Sequence, residues 1–261
     1  AVTYWPGGTT DLEDAVLPAV EQVVHYGGRN SITDMSRRVP ANVTMITHGP
    51  RISFGVVGRE ALGSPEDAAS LAGDIAYATA VFDQQGCVSP HTVFVEDGGA
   101  VSPPELAGLI DRALVRLSRD LPPAAPAQAD AIAIREFRAV AEFRAINGEK
   151  VSVLGPDRLD HTIIFDPVPA LTASCLGRTL KVCPVHALAD VARLVAPYRD
   201  VLQSAAVAGA GDAIVPVAQG LATAGVSRVT SFRQLPWPEM GWVHDGRGPL
   251  RELVRWSEAP L

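Results

Sequence analysis

The sequence predicts an α/β protein built on a parallel sheet, and two observations point there. Near the start, strand-like runs ending in a Gly turn are each followed by a helical segment and another strand-like run, the unit that lays strands down in parallel. Beyond it, helices with strong start signals alternate with short β-branched or aromatic runs as far as Val226. With 261 residues, 47% of them hydrophobic and 20% charged, the chain can bury a sizeable core, in one large domain or two smaller ones.

In order, residues 1–5 read as a strand, Pro6-Gly7-Gly8 as a turn, and 11–20 as a helix capped by Thr10 or Asp11. A strand over 21–26, the turn Gly27-Gly28, a helix capped by Asn30 and running to Val39, and a strand over 42–47 repeat the unit. Ser64-Pro65-Glu66-Asp67 combines an N-cap, a first-turn Pro and acidic residues, and starts a helix to about Phe82. Asp83 to Pro90 is a polar turn and 92–95 a strand, which puts Cys87 on a helix-to-strand connection. Ser102-Pro103-Pro104-Glu105 caps a helix to about Arg119, and the Pro- and Ala-rich 121–127 is a loop. A helix over 129–145 has Ile132, Phe137, Val140 and Phe143 as its apolar positions. Strands follow at 151–154, 161–165, 179–182 and 227–232, helices at 188–194 and 214–224, and a Pro- and Trp-rich tail from Leu235.

Lys and Arg number 22 against 29 Asp and Glu, a formal charge of −7, and no basic stripe forms, which argues against nucleic acid or an anionic membrane as partner. No run reaches the roughly 18–20 apolar residues of a membrane span, and no signal peptide opens the chain, so it reads as soluble and cytoplasmic. Three cysteines, Cys87, Cys175 and Cys183, are too few for a disulfide framework and lack metal-ligand spacing, so no metal is expected. The chain opens at Ala1 on an apolar run without an initiator Met and reads as cut from something longer.

Cysteines are commonly small buried apolar residues, and Cys175 and Cys183 are read that way. Cys87 stands apart because Gly86 precedes it, Gln84 and Gln85 flank the turn, and a helix and a strand would hold its thiol rigidly. On local sequence, nucleophile and buried apolar residue both stand. Gly27-Gly28 is either a phosphate-approach turn at a helix N-terminus or a turn needing positive φ. His48 is a base or a structural strand end. His91 tunes the thiol or is structural, and His244-Asp245 is a polar pair near the site or a turn. Arg135, Arg138 and Arg144 either meet the phosphates of a ligand or form a solvated face.

Several segments together resemble the aldehyde-dehydrogenase superfamily, in order and spacing: Gly27-Gly28, Val43-Thr44-Met45, Gly49, and Phe82-Asp83-Gln84-Gln85-Gly86-Cys87 before a strand. Arg51-Ile52-Ser53-Phe54, Cys87-Val88-Ser89-Pro90-His91, Gly225-Val226-Ser227-Arg228, Trp242-Val243-His244-Asp245-Gly246 and Leu253-Val254-Arg255-Trp256 are similar to its long-chain acyl-CoA reductase (LuxC) branch, which supplies aldehyde in luminous bacteria and has relatives in others. The resemblance runs from Ala1 to Trp256 and is most specific at Cys87.

It implies the end of a Rossmann-type NADP-binding domain over 1–50, a three-layer α/β catalytic domain over 51–234 and a returning tail over 235–261. It implies Cys87 as the acyl-carrying nucleophile, with its own backbone N–H toward the oxyanion, and Gly27, Gly28, Thr47, His48 and Gly49 along the cofactor, NADPH. It further implies a fatty acyl thioester on coenzyme A or a protein as substrate, acyl-transferring partner proteins, and a homo-oligomer at full length, with this segment alone inactive. Where hydrolytic members carry Glu-Leu-Gly-Gly, this chain has Thr47-His48-Gly49-Pro50, without the carboxylate that activates water. That departure favours reduction over hydrolysis. The alternatives are a non-catalytic binding or assembly module of the same fold and a hydrolytic aldehyde dehydrogenase.

Overall fold

The computed structural model describes residues 1–248, 250–255 and 257–259; Trp256, which closes the last motif named above, lies outside them. The chain forms two compact units, one of 1–50 with 247–261 and one of 51–246. Residues from Leu235 onward therefore divide, the first part with the larger unit and the rest with the smaller.

In the smaller unit, α1 (Thr10–Val16) leads through a short 3₁₀ turn to β1 (Gln22–Tyr26), then α2 (Arg29–Arg38) and β2 (Thr44–His48). The two strands pair in parallel from Gln22↔Thr44 to Tyr26↔His48, the predicted strand–turn–helix–strand unit. Arg38, in the basic last turn of α2, ties that helix to α1 through Glu13 and Asp14. Residues 1–5 form no strand. Val2 and Tyr4 lie exposed, and an apolar run with no ladder partner has nothing to hold it extended. The helix starts also differ from expectation: Thr9 is the N-cap of α1 and Gly28 that of α2, with Asn30 already inside the first turn.

The larger unit holds a seven-stranded sheet. In chain order its strands are β3 (Ile52–Val57), β4 (Pro90–Glu96), β5 (Ser152–Leu154), β6 (Thr162–Phe165), β7 (Thr179–Val185), β8 (Leu202–Ala208) and β9 (Arg228–Thr230), and across the sheet the order is β5-β6-β7-β4-β3-β8-β9. Every pair is parallel except β5 with β6. Helices α3 (Pro65–Ala80) and α4 (Pro103–Leu117) bury their apolar faces in one core, and α6 (Leu188–Val195) and α7 (Ile214–Ala224) in a second core that takes the alternate side chains of the same strands. A sheet covered on both faces explains why β3, β4 and β8 are buried nearly throughout.

Both predicted caps form. The Ser64 hydroxyl accepts from the Asp67 amide at 3.1 Å, and Ser102 with Glu105 makes a full capping box on α4. Ala68, Ala72 and Ala76 give α3 a small-residue inner stripe. Gly55 at the sheet centre is required by proximity, since a Cβ there would lie 2.5 Å from the Phe232 ring.

Helix α5 (Gln128–Ile146) sits where expected but is rotated from its predicted face. Ile134, Arg138 and Ala141 point inward, Phe137 is half-buried, and Ile132, Val140 and Phe143 are exposed. The cause is Arg138. Its guanidinium donates to Thr162 Oγ1 at 2.7 Å, Pro156 O at 3.0 Å and His161 O at 2.6 Å, stitching α5 to the start of β6.

Among the described residues no helix is long and apolar enough to cross a membrane.

Candidate active site

Cys87 is presented by a turn under local backbone strain. Helix α3 ends at Ala80, before the predicted Phe82, and the chain passes through Phe82, Asp83 and Gln84 with φ of 57°, 49° and 65°. Three successive non-Gly residues in the left-handed region cost energy that their surroundings must offset. Arg178 does so by donating to Asp83 Oδ1 at 2.7 Å, while the other Asp83 oxygen accepts from the Ala124 amide at 3.2 Å. The fully buried Gln84 amide donates to Pro90 O and Thr179 O, each at 2.7 Å, and accepts from Thr179 N at 2.8 Å. These bonds fasten the turn to β4 and β7.

The thiol then emerges at the amino-terminal edge of the sheet, beside the starts of β3 and β8. Ser53 Oγ donates to the Cys87 carbonyl at 2.8 Å and accepts from Ser204 N at 3.1 Å, so β3 and β8 both hold the Cys87 backbone. Gln203 Nε2 stands 3.9 Å from Cys87 Sγ, and Ser227 Oγ donates to Gln203 O at 2.8 Å and Oε1 at 3.2 Å.

Half-burial pushes the Cys87 thiol above the ordinary cysteine range; the Gln203 bond pulls it down, Asp245 pushes it up and Arg51 pulls it down. Arg51 Nε meets the buried Asp245 carboxylate at 2.8 Å, so the two charges largely offset each other. His244 lies 3.8 Å from Asp245 and stacks on Trp242 at 4.7 Å. The structure thus draws Arg51 and the His244-Asp245 pair of the tail to the thiol's surroundings. Gln203 gave no sequence signal, because it stands 116 residues from Cys87 in an apolar, small-residue strand; Ser227 lies in the Gly225-Val226-Ser227-Arg228 segment of the resemblance, but nothing there ties it to Gln203.

The other candidates resolve differently. Cys183 is buried and burial pushes it up to about 11; Cys175 is half-buried and also raised by burial. His91 is buried, and its Nδ1 accepts from Ser174 N at 3.0 Å and pairs with Ser174 Oγ at 2.9 Å. Burial holds His91 down at about 4, so it is neutral and carries its proton on Nε2. Arg138 is the internal clasp described above. Arg144 pairs with Asp166 at 2.8 Å and Glu149 at 2.7 Å, so the solvated-face expectation fails for Arg138, and both arginines are held by neighbours within the protein. Arg135 is exposed.

In the smaller unit, Gly27, Gly28, Thr47, His48 and Gly49 come together at the carboxyl ends of β1 and β2. Gly27 N donates to His48 O at 3.2 Å, and the His48 ring stacks on Tyr26 at 4.5 Å. Neither glycine has positive φ, contrary to one of the two expectations. A Cβ on Gly27 would lie 2.7 Å from His25 Nε2, the end of a side chain that can shift aside, and a Cβ on Gly28 would meet nothing within 4 Å. No side chain caps the N-terminus of α2. An open, uncapped helix start beside two strand ends fits a phosphate edge of a dinucleotide.

The sequence matches the family described as acyl-CoA reductase (LuxC) over residues 1–256. The chain belongs to the acyl-CoA reductase (LuxC) family. This LuxC-family chain is 22% identical to the long-chain acyl-protein thioester reductase of Aliivibrio fischeri over 98% of its own length and 50% of the relative's. To that of Vibrio harveyi it is 30% identical over 95 residues, 36% of the chain and 19% of the relative. The LuxC-family chain spans at most about half the length of these curated relatives.

Among solved structures, it resembles the NADP-dependent glyceraldehyde-3-phosphate dehydrogenase of Bacillus halodurans C-125, complexed with NADP, with TM-score 0.69 and 16% identity over 95% of this chain and 54% of that one. An NAD-dependent aldehyde dehydrogenase of Burkholderia multivorans gives TM-score 0.64 and 18% identity over 93% and 45%. The aldehyde-dehydrogenase-like α/β fold expected from the LuxC resemblance is therefore the fold of this chain.

Proposed function

We propose that the protein carrying this chain reduces a fatty acyl thioester, borne by coenzyme A or by a protein, to the aldehyde with NADPH, through an acyl-enzyme on Cys87. The observation that carries this reading is the fixed presentation of the Cys87 thiol at the sheet edge, in a member of the LuxC family. The Cys87 thiolate attacks the thioester carbonyl, the S–C bond to the carrier breaks, and the carrier thiolate leaves, so one thioester replaces another of similar energy. The Cys87 backbone N–H is the candidate donor to the oxyanion. NADPH, when bound, would supply the hydride. Collapse of the resulting thiohemiacetal regenerates the Cys87 thiolate and frees the aldehyde.

Gly27 and Gly28 at the open start of α2 are our candidates to hold a phosphate of the cofactor, with Thr47, His48 and Gly49 at the neighbouring strand end. The absence of a carboxylate in Thr47-His48-Gly49-Pro50 supports reduction, since loss of a water-activating base slows hydrolysis by roughly 10²–10⁴. A cytoplasmic setting would keep the three free thiols reduced. In the full-length protein we expect self-association and acyl-delivering partner proteins. The test is product analysis with long-chain acyl-CoA and NADPH. Aldehyde with matching NADPH oxidation supports the reading, fatty acid as main product restores the hydrolytic alternative, and no turnover leaves the non-catalytic one.

A further inference from the structure

We propose that Gln203 is the hydrogen-bond donor that favours the thiolate form of the Cys87 sulfur against the burial that opposes it, and that Ser227 fixes which end of the Gln203 amide faces the sulfur. The inference builds on Cys87 as nucleophile but makes its own, separate claim. Gln203 is fully buried on β8, with Nε2 3.9 Å from Cys87 Sγ, within reach of the longer N–H···S bond. An amide has one donating and one accepting end, so its orientation decides whether it stabilises or repels a thiolate. Here Ser227 decides it. Its one hydroxyl proton is shared between the Gln203 carbonyl at 2.8 Å and Oε1 at 3.2 Å, and the Ser227 amide donates to that same carbonyl at 3.0 Å. With Oε1 turned to Ser227, Nε2 is left for the sulfur.

The charged groups around the thiol do not do this work alone. On the segment entering β3 stands Arg51, and in the tail Asp245 with His244; the Arg51–Asp245 pair at 2.8 Å brings a positive and a negative charge together. On the turn itself Asp83 is held by Arg178, and on β3 Ser53 takes the Cys87 carbonyl rather than the sulfur. A neutral donor suits a sulfur that must first attack and later leave. It favours the thiolate in both steps without binding it as a full ion pair would.

The test is the pH dependence of iodoacetamide alkylation at Cys87, in which the thiolate forms an S–C bond and iodide leaves, followed by mass spectrometry of the Cys87 peptide of this chain. Gln203→Leu should raise the midpoint by about one pH unit, roughly a tenfold slower reaction near neutrality. Ser227→Ala should raise it less, because the freed amide can turn its oxygen to the sulfur, while the Cys175 peptide keeps its wild-type profile. Should Gln203→Leu fail to fold, the single-hydroxyl variant still tests the claim. A Cys87 midpoint unchanged in folded Gln203→Leu, or unchanged in Ser227→Ala when Gln203→Leu does not fold, overturns the proposal. Acyl labelling of Cys87 tests the nucleophile assignment separately, so the two can fail independently.

Discussion

The side-chain amide of Gln84 and the backbone of Thr179, 95 residues apart, bond in both directions, the amide N–H donating to Thr179 O at 2.7 Å and Gln84 Oε1 accepting from Thr179 N at 2.8 Å. The same amide also donates to Pro90 O at 2.7 Å, so one buried side chain fixes the turn that presents Cys87 against two strands.

Gln84→Leu keeps the size of that side chain and removes all three bonds, leaving Thr179 N, Thr179 O and Pro90 O buried without it. Each unsatisfied buried group costs about 1–3 kcal/mol, so with three of them unfolding should become easier by at least roughly 3 kcal/mol. Urea unfolding of wild type and variant checks this as a lower midpoint at unchanged slope.

Asp166 gathers Arg144 at 2.8 Å and the buried Lys181 at 3.0 Å. Burial alone would raise its pKa, but the bonds from Arg144, the Val168 amide and Lys181 prevail and hold it at about 2. Its contribution to stability is therefore present above the ordinary Asp range and is lost as pH falls from there toward about 2. Asp166→Asn should remove it at neutral pH and leave Lys181 buried without its counter-charge, a loss of about 3–5 kcal/mol. Thermal melts of both proteins at neutral and acidic pH should converge as the pH drops.

His91 acts in the same direction over a higher pH window. Its pKa of about 4 lies below the ordinary histidine value, because burial disfavours the imidazolium, so the unfolded chain takes up its proton first. Stability should fall as pH drops from about 6.5 toward about 4, by at most about 3 kcal/mol. His91→Asn, with an amide oxygen for the Ser174 donors, should flatten that part of the curve. An NMR titration showing His91 charged at pH 6 would contradict the assignment.

Arg51 and Asp245 should move the thiol in opposite directions. Removing the carboxylate in Asp245→Asn leaves Arg51 to act on Cys87 unopposed and should lower the pH midpoint of Cys87 alkylation; Arg51→Leu should raise it. The comparison is alkylation rate against pH for the two variants beside wild type.

What the sequence showed and what it hid follow from the same physics. Caps are local, so Ser64 and the Ser102–Glu105 box stood out from a few residues. The Gly86-Cys87 turn and the strand after it were equally local. Strands β3 and β8 carry no alternation because both of their faces are buried, so periodicity does not mark them. The three left-handed residues Phe82, Asp83 and Gln84 carry no glycine to announce them, since distant Arg178 and Thr179 hold them in place. Amphipathic counting failed on α5, where a buried Arg138 bonding the start of β6 outranked exposed Val140 and Phe143. Gln203, with Ser227 behind it, meets Cys87 only through the order of the sheet, which brings β8 beside β3.

The central claim is that Cys87 carries the acyl group, and the most direct measurement is covalent labelling. Protein of the relatives' full length, incubated with radiolabelled long-chain acyl-CoA without NADPH, should retain one hydroxylamine-sensitive label on the Cys87 peptide, discharged as aldehyde when NADPH is added. Cys87→Ser should retain none at that position. Thioester label that persists undiminished in Cys87→Ser, or that maps to Cys175 or Cys183, would contradict the account.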